Sequence, residues 1–453
     1  MKKAISPIDG RDEKKADKLR KFFSEEGLIF FRVFVEIKWL LFLSQEKKIP
    51  LREIKGKEKK ILNDIIDNFS IQDSDKIKKI EKITNHDVKA VEIFLREKLK
   101  KTSLKDAIEW IHFAATSEDI NNIAWSLILK KSIQKVILPQ INEVCRYICL
   151  CAQQWKSVAQ LARTHGQPAS PTTVGKEFLV FAKRLQRQIK QIQNQEFLAK
   201  FAGATGNFSA HFCAFENIDW INLSEKFIKS FTLNNNPVVT QIEPHDFIAE
   251  ISHLFIRLNT ILIDFSRDIW GLISFNFFKQ KVIAGEVGSS TMPHKVNPID
   301  FENAEGNLGI ANTLFNYFAQ KLPISRLQRD LSDSTVLRNL GVAFSHSFLA
   351  YQRLLKGICK LEINSQKIQT DLQNHPEILA EAVQTIMRAE GIENPYEKLK
   401  KFTRGKKISL NDFYKFVQKS ELSNKSKNKL LKIKPENFTG LAEEIVERFN
   451  INP

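Results

Sequence analysis

Long stretches of regularly spaced apolar residues constrain this chain more than any other feature. Between Asp246 and Leu272, and again from Val174 to Ile192, apolar residues recur at intervals of three or four positions. In the first stretch these positions are Ile248, Ile251, Phe255, Leu258, Leu262 and Phe265. This spacing places apolar side chains on one face of an α-helix. We therefore predict two long amphipathic helices.

Similar patterns predict most of the other elements, and alternation typical of strands is sparse. The expected helices are Leu28–Ser44, Ile123 to a stop near Pro139, Ile141–Trp155, Asp300–Phe318 and Thr335–Leu355. Long helices joined by short polar loops favour a helical bundle. The fold class is therefore predicted to be all-α.

The chain has 453 residues, more than one ordinary hydrophobic core accommodates. We predict an N-terminal helical domain over 1–111, a central long-helix bundle over 112–360 and a small lysine-rich helical domain over 361–453. The most apolar run, Leu28 to Leu43, contains Arg32, Glu36 and Lys38. Charges at this density favour a buried helix over a membrane span.

The five cysteines are an odd number and form no C-x-x-C pair. This pattern argues against a disulfide framework and against a structural zinc site. Since the N-terminus also carries no secretory pattern, we expect a reducing, cytoplasmic location.

The net charge of +17 is compatible with three interpretations. A basic chain binds nucleic acid, attracts an anionic small substrate, or simply carries a lysine-biased surface. The lysine tracts contain few aromatic residues on which bases could stack. The third interpretation is therefore favoured, and no nucleic-acid partner is expected.

One loop concentrates reactive side chains. Residues Gly288 to Pro298 include three hydroxyls, an imidazole, an ammonium and a carboxamide. Pro293 and Pro298 disfavour a helix, so a loop is predicted. For an arbitrary sequence a plain turn would be the better interpretation, and only the length of the motif favours function.

Three more polar clusters precede predicted helices, at Thr84–Val91, Thr116–Asn122 and Arg163–Ala169. Taken alone, each resembles an ordinary helix cap or surface turn. None of the histidines has the H-x-x-x-H or H-E-x-x-H spacing of a metal site, so no metal is expected.

Together the clusters suggest an elimination reaction. Ser289 could remove a proton next to a carboxylate if Lys295 and Asn297 stabilise the charge that develops. His165, in a Gly- and Pro-containing turn, is the acid candidate, and Glu302 is the candidate to orient it.

The loop sequence G-S-S-x-M-P-x-K-x-N resembles the signature of the fumarase/aspartase superfamily. Within it, the chain resembles the adenylosuccinate lyase family of the longer bacterial type. The motifs that carry this resemblance are S-P-I-D-G-R at 6–11, T-N-H-D-V-K-A-V-E at 84–92, T-S-E-D-I-N-N at 116–122, R-T-H-G-Q-P-A at 163–169, T-Q-I-E-P-H-D at 240–246 and R-D-L-S-D-S-T-V-L-R-N at 329–339. His294 in the loop also resembles the purine-lyase branch.

The resemblance implies cleavage of adenylosuccinate to AMP and fumarate, and of SAICAR to AICAR, without metal or organic cofactor. It implies a fumarase/aspartase-like fold of three helical domains, whose central bundle forms the core of a homotetramer with active sites shared between subunits. It implies Ser289 as base and His165 as acid, with Lys295 and Glu302 assisting. The substrate-binding residues that it implies are Arg11, Asn85, His86, Asp87, Thr116, Ser117, Gln241, Ser290, Val296, Asn297, Asn303, Arg329, Ser334, Thr335 and Arg338.

One position departs from the family pattern, since Asp12 stands where close relatives usually carry Tyr. A carboxylate beside a substrate phosphate would be repulsive, so Asp12 is left out of the expected site. Two alternatives remain open: a lyase for another succinyl substrate such as argininosuccinate, and a non-catalytic protein that binds nucleic acid through its lysine tracts.

Overall fold

The computed structural model describes residues 3–283, 285, 291, 292, 294–405 and 407–450. Helices dominate this part of the chain, which confirms the all-α prediction. Among the described residues, no helix is long and apolar enough to cross a membrane.

The helices are given in chain order. Those of the N-terminal half are α1 (Glu13–Phe23), α2 (Glu25–Leu43), α3 (Gly56–Asp67), α4 (Ile71–Thr84), α5 (Asp87–Leu99), α6 (Ser117–Ser132), α7 (Leu138–Gln154), α8 (Val174–Gln193), α9 (Ser209–Ala214) and α10 (Trp220–Ser230). Those of the C-terminal half are α11 (Asp246–Ser274), α12 (Ile299–Lys321), α13 (Ser332–Leu337), α14 (Leu340–Cys359), α15 (Ser365–Gln373), α16 (Ala380–Ala389), α17 (Pro395–Thr403), α18 (Leu410–Lys419), α19 (Asn424–Leu430) and α20 (Ala442–Phe449).

Short single-turn helices and three small strand pairs complete the described structure. The 3₁₀ turns are Lys105–Trp110, Pro376–Leu379 and Pro435–Asn437. The strands are β1 (Ala159–Thr164), β2 (Gln167–Thr173), β3 (Leu198–Ala199), β4 (Asn234–Asn235), β5 (Phe278–Gln280) and β6 (Leu361–Ile363). Strands β1 and β2 pair antiparallel as a hairpin, β3 and β4 pair parallel, and β5 and β6 pair antiparallel.

The chain divides into two compact units. Unit 1 takes Met1–Gln140, Gln188–Thr260 and Gly306–Ala350. Unit 2 takes Ile141–Arg187, Ile261–Glu305 and Tyr351–Pro453. The division into domains at 111 and 360 stays a prediction.

Aromatic side chains fill the core of unit 1. Trp39 on α2 packs against Phe201 and Phe227, with ring centroids 4.1 and 4.9 Å apart. Phe255 on α11 packs against Phe344 on α14 at 5.0 Å. These are the spacings at which aromatic pairs attract beyond their burial, so α2, α11 and α14 are held by large interlocking rings.

Unit 2 has its own aromatic cluster and a second apolar core near the C-terminus. Phe178 on α8 contacts Trp155 and Phe265 edge-on, at 5.0 and 5.6 Å. The C-terminal helices pack around a separate set of buried residues: Leu372, Leu379, Val383, Met387, Leu399, Phe413, Val417 and Leu430. The lysines of this region therefore surround an ordinary apolar core.

The longest predicted helices are confirmed, since α8 and α11 match the periodic segments within two residues. The predicted stop near Pro139 is wrong. The chain passes from α6 through a π-helical segment at Ile133–Ile137 directly into α7. A wider turn just before the proline accommodates the missing N–H and the ring, which would otherwise end the helix.

The predicted helix from Thr335 to Leu355 is also wrong as a single element, because α13 ends at Leu337 and α14 begins at Leu340. At the break, Arg338 Nη1 donates to Ser334 O at 3.2 Å and Asn339 Nδ2 donates to Thr335 O at 3.0 Å. These side chains thus donate hydrogen bonds to carbonyl groups of the last turn. In a continuing helix, the same carbonyls would accept from backbone N–H groups.

Candidate active site

The cluster at Asn85–Asp87 forms the junction between α4 and α5 in unit 1. Asn85 ends α4 in a left-handed conformation with φ of 52°, which asparagine tolerates better than most residues. His86 caps α5, with Nδ1 accepting from the N–H of Lys89 at 3.1 Å. This bond leaves Nε2 on the exposed side of the ring, 3.4 Å from the Ser117 hydroxyl.

Asp87 opens α5 and lies between two guanidinium groups. Its Oδ2 is 2.6 Å from Arg32 Nη2 and 3.3 Å from Arg338 Nη2. Burial opposes the charged form, but the two arginines outweigh it and lower the pKa of the Asp87 carboxyl. Asp87 is therefore an anion. It binds Arg338 at the surface, and the buried Arg32 binds Asp87 from the interior of the unit.

Thr116 and Ser117 lie at the N-terminus of α6. Asp119 closes a capping box there, accepting from the Thr116 N–H at 2.8 Å. Asp119 also accepts from the N–H groups of Ala202 and Gly203, and its charge is paired with Lys200 at 2.8 Å. Both charged side chains of this pair are fully buried. The two hydroxyls are thus mounted on a rigid, charge-compensated helix start.

Arg329 is held between two buried carboxylates. Its Nη2 lies 3.1 Å from Glu118 Oε2 and 3.5 Å from Asp333 Oδ1. His245 Nε2 lies 3.6 Å from Asp333 Oδ2. The side chain of Arg329 keeps 14% of its surface exposed, whereas those of Glu118, His245 and Asp333 keep 5% or less. One side of the guanidinium therefore faces solvent and the other faces this carboxylate–imidazole cluster.

Glu118, His245 and Asp333 are close enough to bind a cation, since one donor atom from each lies within 4.8 Å of the others. Arg329, however, already supplies positive charge to both carboxylates. A divalent ion at this point would sit beside a guanidinium that cannot lose its proton. The set therefore fits a protonated imidazole better than a metal ion.

Four further residues predicted for the site lie in unit 1, namely Ser334, Thr335, Gln241 and Arg11. Ser334 accepts from Arg338 Nη1 at 2.6 Å, and Thr335 is exposed on α13. Gln241 Nε2 donates to the carbonyl of Ala204 at 3.0 Å. Arg11 is exposed.

The departure at Asp12 has a local explanation. Its carboxylate pairs with Lys15 one turn along α1 at 2.5 Å. Asp12 is thus engaged with its own helix start, and its exclusion from the expected site stays a prediction.

In unit 2, His165 occupies the tip of the β1–β2 hairpin. Thr164 pairs with Gln167, so the turn consists of His165 and Gly166 alone. Their φ angles of 53° and 74° are both positive, as a type I′ turn requires. The imidazole is exposed at the end of a stiff ribbon, where the sequence predicted only a loop.

The signature loop is described only in part. Ser289, Ser290 and Gly288 lie outside the described residues, so the predicted base has no observed position. Lys295 and Val296 are exposed, and Asn297 is half-buried just before α12.

Glu302 and Asn303 are exposed in the first turns of α12. Glu302 Oε1 accepts from the Trp270 indole at 3.1 Å. In the described part of the chain, no hydrogen bond or ion pair joins Glu302 to His165. The predicted support of His165 by Glu302 stays a prediction.

The structure therefore connects three of the predicted motifs in unit 1: 85–87, 116–117 and 329–338. Sequence reasoning missed the residues that connect them, namely Arg32, Glu118, Lys200, His245 and Asp333. A signal existed for Arg32, because a charge within an otherwise apolar helix needs a buried partner.

Comparisons with known proteins show the fold and the family of the chain. A family model described as lyase matches residues 10–311, and one described as adenylosuccinate lyase C-terminal matches residues 325–439. Among solved structures, a fumarate lyase from Mesorhizobium sp. BNC1 superposes with a TM-score of 0.76 at 16% identity, covering 95% of this chain and 97% of that one. A 3-carboxy-cis,cis-muconate lactonizing enzyme from Pseudomonas putida gives 0.73 at 19% identity, covering 95% of each chain. The fold and its motifs thus define a lyase of the fumarase/aspartase superfamily.

Two curated relatives place the chain more narrowly. An adenylosuccinate lyase from Legionella pneumophila (strain Corby) is 51% identical over 449 residues, covering 99% of this chain and 98% of the relative. The Escherichia coli (strain K12) adenylosuccinate lyase is 49% identical over 448 residues, covering 98% of each. The chain belongs to the adenylosuccinate lyase family.

Proposed function

We propose that this chain eliminates fumarate from adenylosuccinate, giving AMP, and from SAICAR, giving AICAR. The observation that carries the proposal is the meeting in unit 1 of 85–87, 116–117 and 329–338. These segments present imidazole, hydroxyl and guanidinium groups together. Such donors suit a substrate that carries a phosphate and two carboxylates.

The chemical step divides between a base and an acid. Ser289, as its alkoxide, removes the proton from the succinyl carbon next to a carboxylate and becomes a hydroxyl, while Lys295 and Asn297 stabilise the negative charge that develops on that carboxylate. The electron pair forms the carbon–carbon double bond of fumarate as the carbon–nitrogen bond breaks. His165 gives its proton to the departing nitrogen, so the amino product leaves neutral.

Substrate binding is assigned to the unit 1 residues and to part of the signature loop. Arg11, Arg329, Ser334, Thr335 and Arg338 bind the phosphate and a nearby carboxylate. Asn85, His86, Asp87 and Gln241 line the nucleotide. Ser290 and Asn303 lie near the nucleotide. Lys295 and Asn297 bind the succinyl carboxylates, helped by Thr116 and Ser117, and Val296 also contacts the substrate.

We further propose a homotetramer whose active sites combine residues of different subunits. The support is that His165 and Glu302 are exposed and are not joined to each other in the described part of one chain. Assembly in this way would bring the His165 hairpin of one subunit to the loop of another. A cytoplasmic location and the absence of a cofactor also stay predictions, the first resting on the five free thiols.

The reaction is tested by measuring fumarate and AMP released from adenylosuccinate in one tube. Equal amounts of both products are expected. No release of either product from folded protein would refute the assignment, and faster turnover of argininosuccinate would replace it.

The acid is tested with His165→Asn. Asparagine followed by glycine suits a type I′ turn, so this variant keeps the hairpin and removes only the proton donor. We expect kcat to fall by about 10²–10⁴-fold, with the oligomeric state unchanged. The same substitution at the exposed His253 is the control, and near-parental kcat in His165→Asn would exclude the assigned role.

The base is tested with Ser289→Ala, which should abolish most turnover while leaving the tetramer intact. Ser230→Ala, at an exposed serine on α10, is the matched control. A Ser289→Ala variant with the kcat of the parent protein would show that another group takes the proton.

A further inference from the structure

The carboxylate–imidazole cluster behind Arg329, formed by Glu118, His245 and Asp333, contains buried polar atoms that lack a hydrogen-bond partner. None of the roles assigned above explains them. Four buried atoms there lack a hydrogen-bond partner: Glu118 Oε1, His245 Nε2, Asp333 Oδ2 and Arg329 Nε. Buried polar atoms without a hydrogen-bond partner are destabilising, yet His245 Nε2 and Asp333 Oδ2 face each other at the ion-pair distance of 3.6 Å. The structure retains them side by side, which indicates that charge, rather than hydrogen bonding, holds the cluster together.

His245 is fixed in this position at a conformational cost. Its φ of 66° lies in the left-handed region, which non-glycine residues seldom adopt. The backbone N–H donates to Glu243 Oε2 at 2.8 Å, and this bond fixes the orientation of the peptide. Glu243 is itself buried and accepts from Asn236 at 3.0 Å. The imidazole is thus aimed at Asp333 by a supported, strained backbone.

We propose that His245 is a positioning residue for substrate binding: as an imidazolium it balances Glu118 and Asp333, so that these carboxylates leave Arg329 facing the anionic substrate. This inference rests on the proposed binding role of Arg329. Among Glu118, Asp333, Arg329 and His245, two carboxylates, one guanidinium and one imidazolium sum to zero. The buried Glu243, 3.9 Å from His245 Nδ1, adds a further negative charge that the imidazolium faces. Without the imidazolium proton, these groups carry one more uncompensated negative charge behind Arg329.

The surroundings of His245 favour its charged form. Burial opposes protonation, but Asp333, Glu118 and Glu243 outweigh it and raise the pKa of the imidazole. Each of the three packs from a different segment: Glu118 from α6, Asp333 from α13 and Glu243 from the chain before α11. The other charged groups near the cluster are Arg329, which pairs with Glu118, and Lys200 and Asp119, which pair with each other.

The test compares His245→Gln, Asp333→Asn and the double variant on adenylosuccinate. In His245→Gln the excess negative charge draws Arg329 inward and repels the substrate, so KM should rise about tenfold while kcat changes less than about twofold. In the double variant Asp333→Asn removes one carboxylate charge, and KM should return to within about threefold of the parent value. His253→Gln, at an exposed histidine, controls for the substitution itself.

A merely structural role would give the opposite pattern in the double variant, since two damaging changes would add. Either a parental KM in His245→Gln or additive losses in the double variant overturns the inference. A parent protein that does not cleave adenylosuccinate refutes the proposed function instead, so the two failures are distinguishable.

If His245→Gln does not fold, the pH dependence of KM decides the question. In the parent, KM should rise as the pH passes above the raised imidazole pKa, because the proton is then lost. Asp333→Asn removes a group that favours this proton, so the rise should move to lower pH. A rise at the same pH in both proteins overturns the inference.

Discussion

The Lys200–Asp119 pair offers the sharpest test of how the candidate site is built. Both side chains are fully buried, with Lys200 Nζ 2.8 Å from Asp119 Oδ1 and 3.1 Å from the carbonyl of Gly203. Asp119 also accepts from three backbone N–H groups, one of which belongs to Thr116. Lys200→Met removes the ammonium and keeps most of the side-chain volume, so its main effect is an uncompensated buried carboxylate.

The expected cost is large. Removing one partner of a buried ion pair costs about 3–5 kcal/mol. A loss of this size lowers the melting temperature of a unit of this length by on the order of 10 °C. Lys229→Met is the matched control, because Lys229 pairs with Glu225 on the exposed surface of α10 and such pairs contribute about 0–1 kcal/mol.

Thermal unfolding at equal protein concentrations measures both variants, since the proposed assembly would make the melting temperature concentration-dependent. Hydrogen exchange at the start of α6 should also accelerate in Lys200→Met, because the cap of Thr116 depends on Asp119. If Lys200→Met melts within about 2 °C of Lys229→Met, the electrostatic reasoning is refuted.

Two further predictions test close packing and pH dependence. Gly175→Ala should lower the melting temperature by several degrees. A Cβ at this position would lie 2.3 Å from the Ala152 carbonyl oxygen and 2.5 Å from Lys156 Cα. An unchanged melting temperature would disprove this close approach. Burial lowers the pKa of the His211 imidazole to about 4, so the folded state resists protonation and loses stability as the pH falls from about 6.5 towards 4. His211→Phe should therefore lose about 2 kcal/mol less stability than the parent between pH 7.5 and pH 5, measured by urea unfolding, and parallel losses would contradict a neutral buried imidazole.

The sequence predicted the long helices well, because a repeat of three and four residues directly encodes one buried face. It failed where local geometry departs from that repeat. Pro139 was predicted to stop a helix, but a π-helical segment takes up the strain. The His165 hairpin was missed because two of its residues have positive φ, and a His-Gly pair is a weaker turn signal than Asn-Gly.

Recognisable motifs supplied the predicted site residues. They also contain Glu118, His245 and Asp333, although the motifs give these three no role, whereas Arg32 and Lys200 lie outside every motif. In the sequence, Arg32 and Glu36 lie one helical turn apart and argue against a membrane span, but their partners cannot be identified. In the structure Arg32 pairs with Asp87, and Glu36 Oε1 lies 2.6 Å from His112 Nδ1. Partners that lie far away along the chain cannot be found by spacing, since only the fold brings them together.

The pairing of Asp87 with Arg338 across 251 positions of sequence has a consequence for how the protein is made. During synthesis Asp87 and Glu118 leave the ribosome long before Arg329 and Arg338 exist. Until those arginines are synthesised, Glu118 lacks Arg329, and Asp87 has only one of its two arginines, Arg32. Contacts of such long range also slow folding. The chain must give up conformational entropy to close the long loop before the contact can stabilise the fold. We therefore expect substrate-binding competence to appear late, after the chain beyond Arg338 has been synthesised.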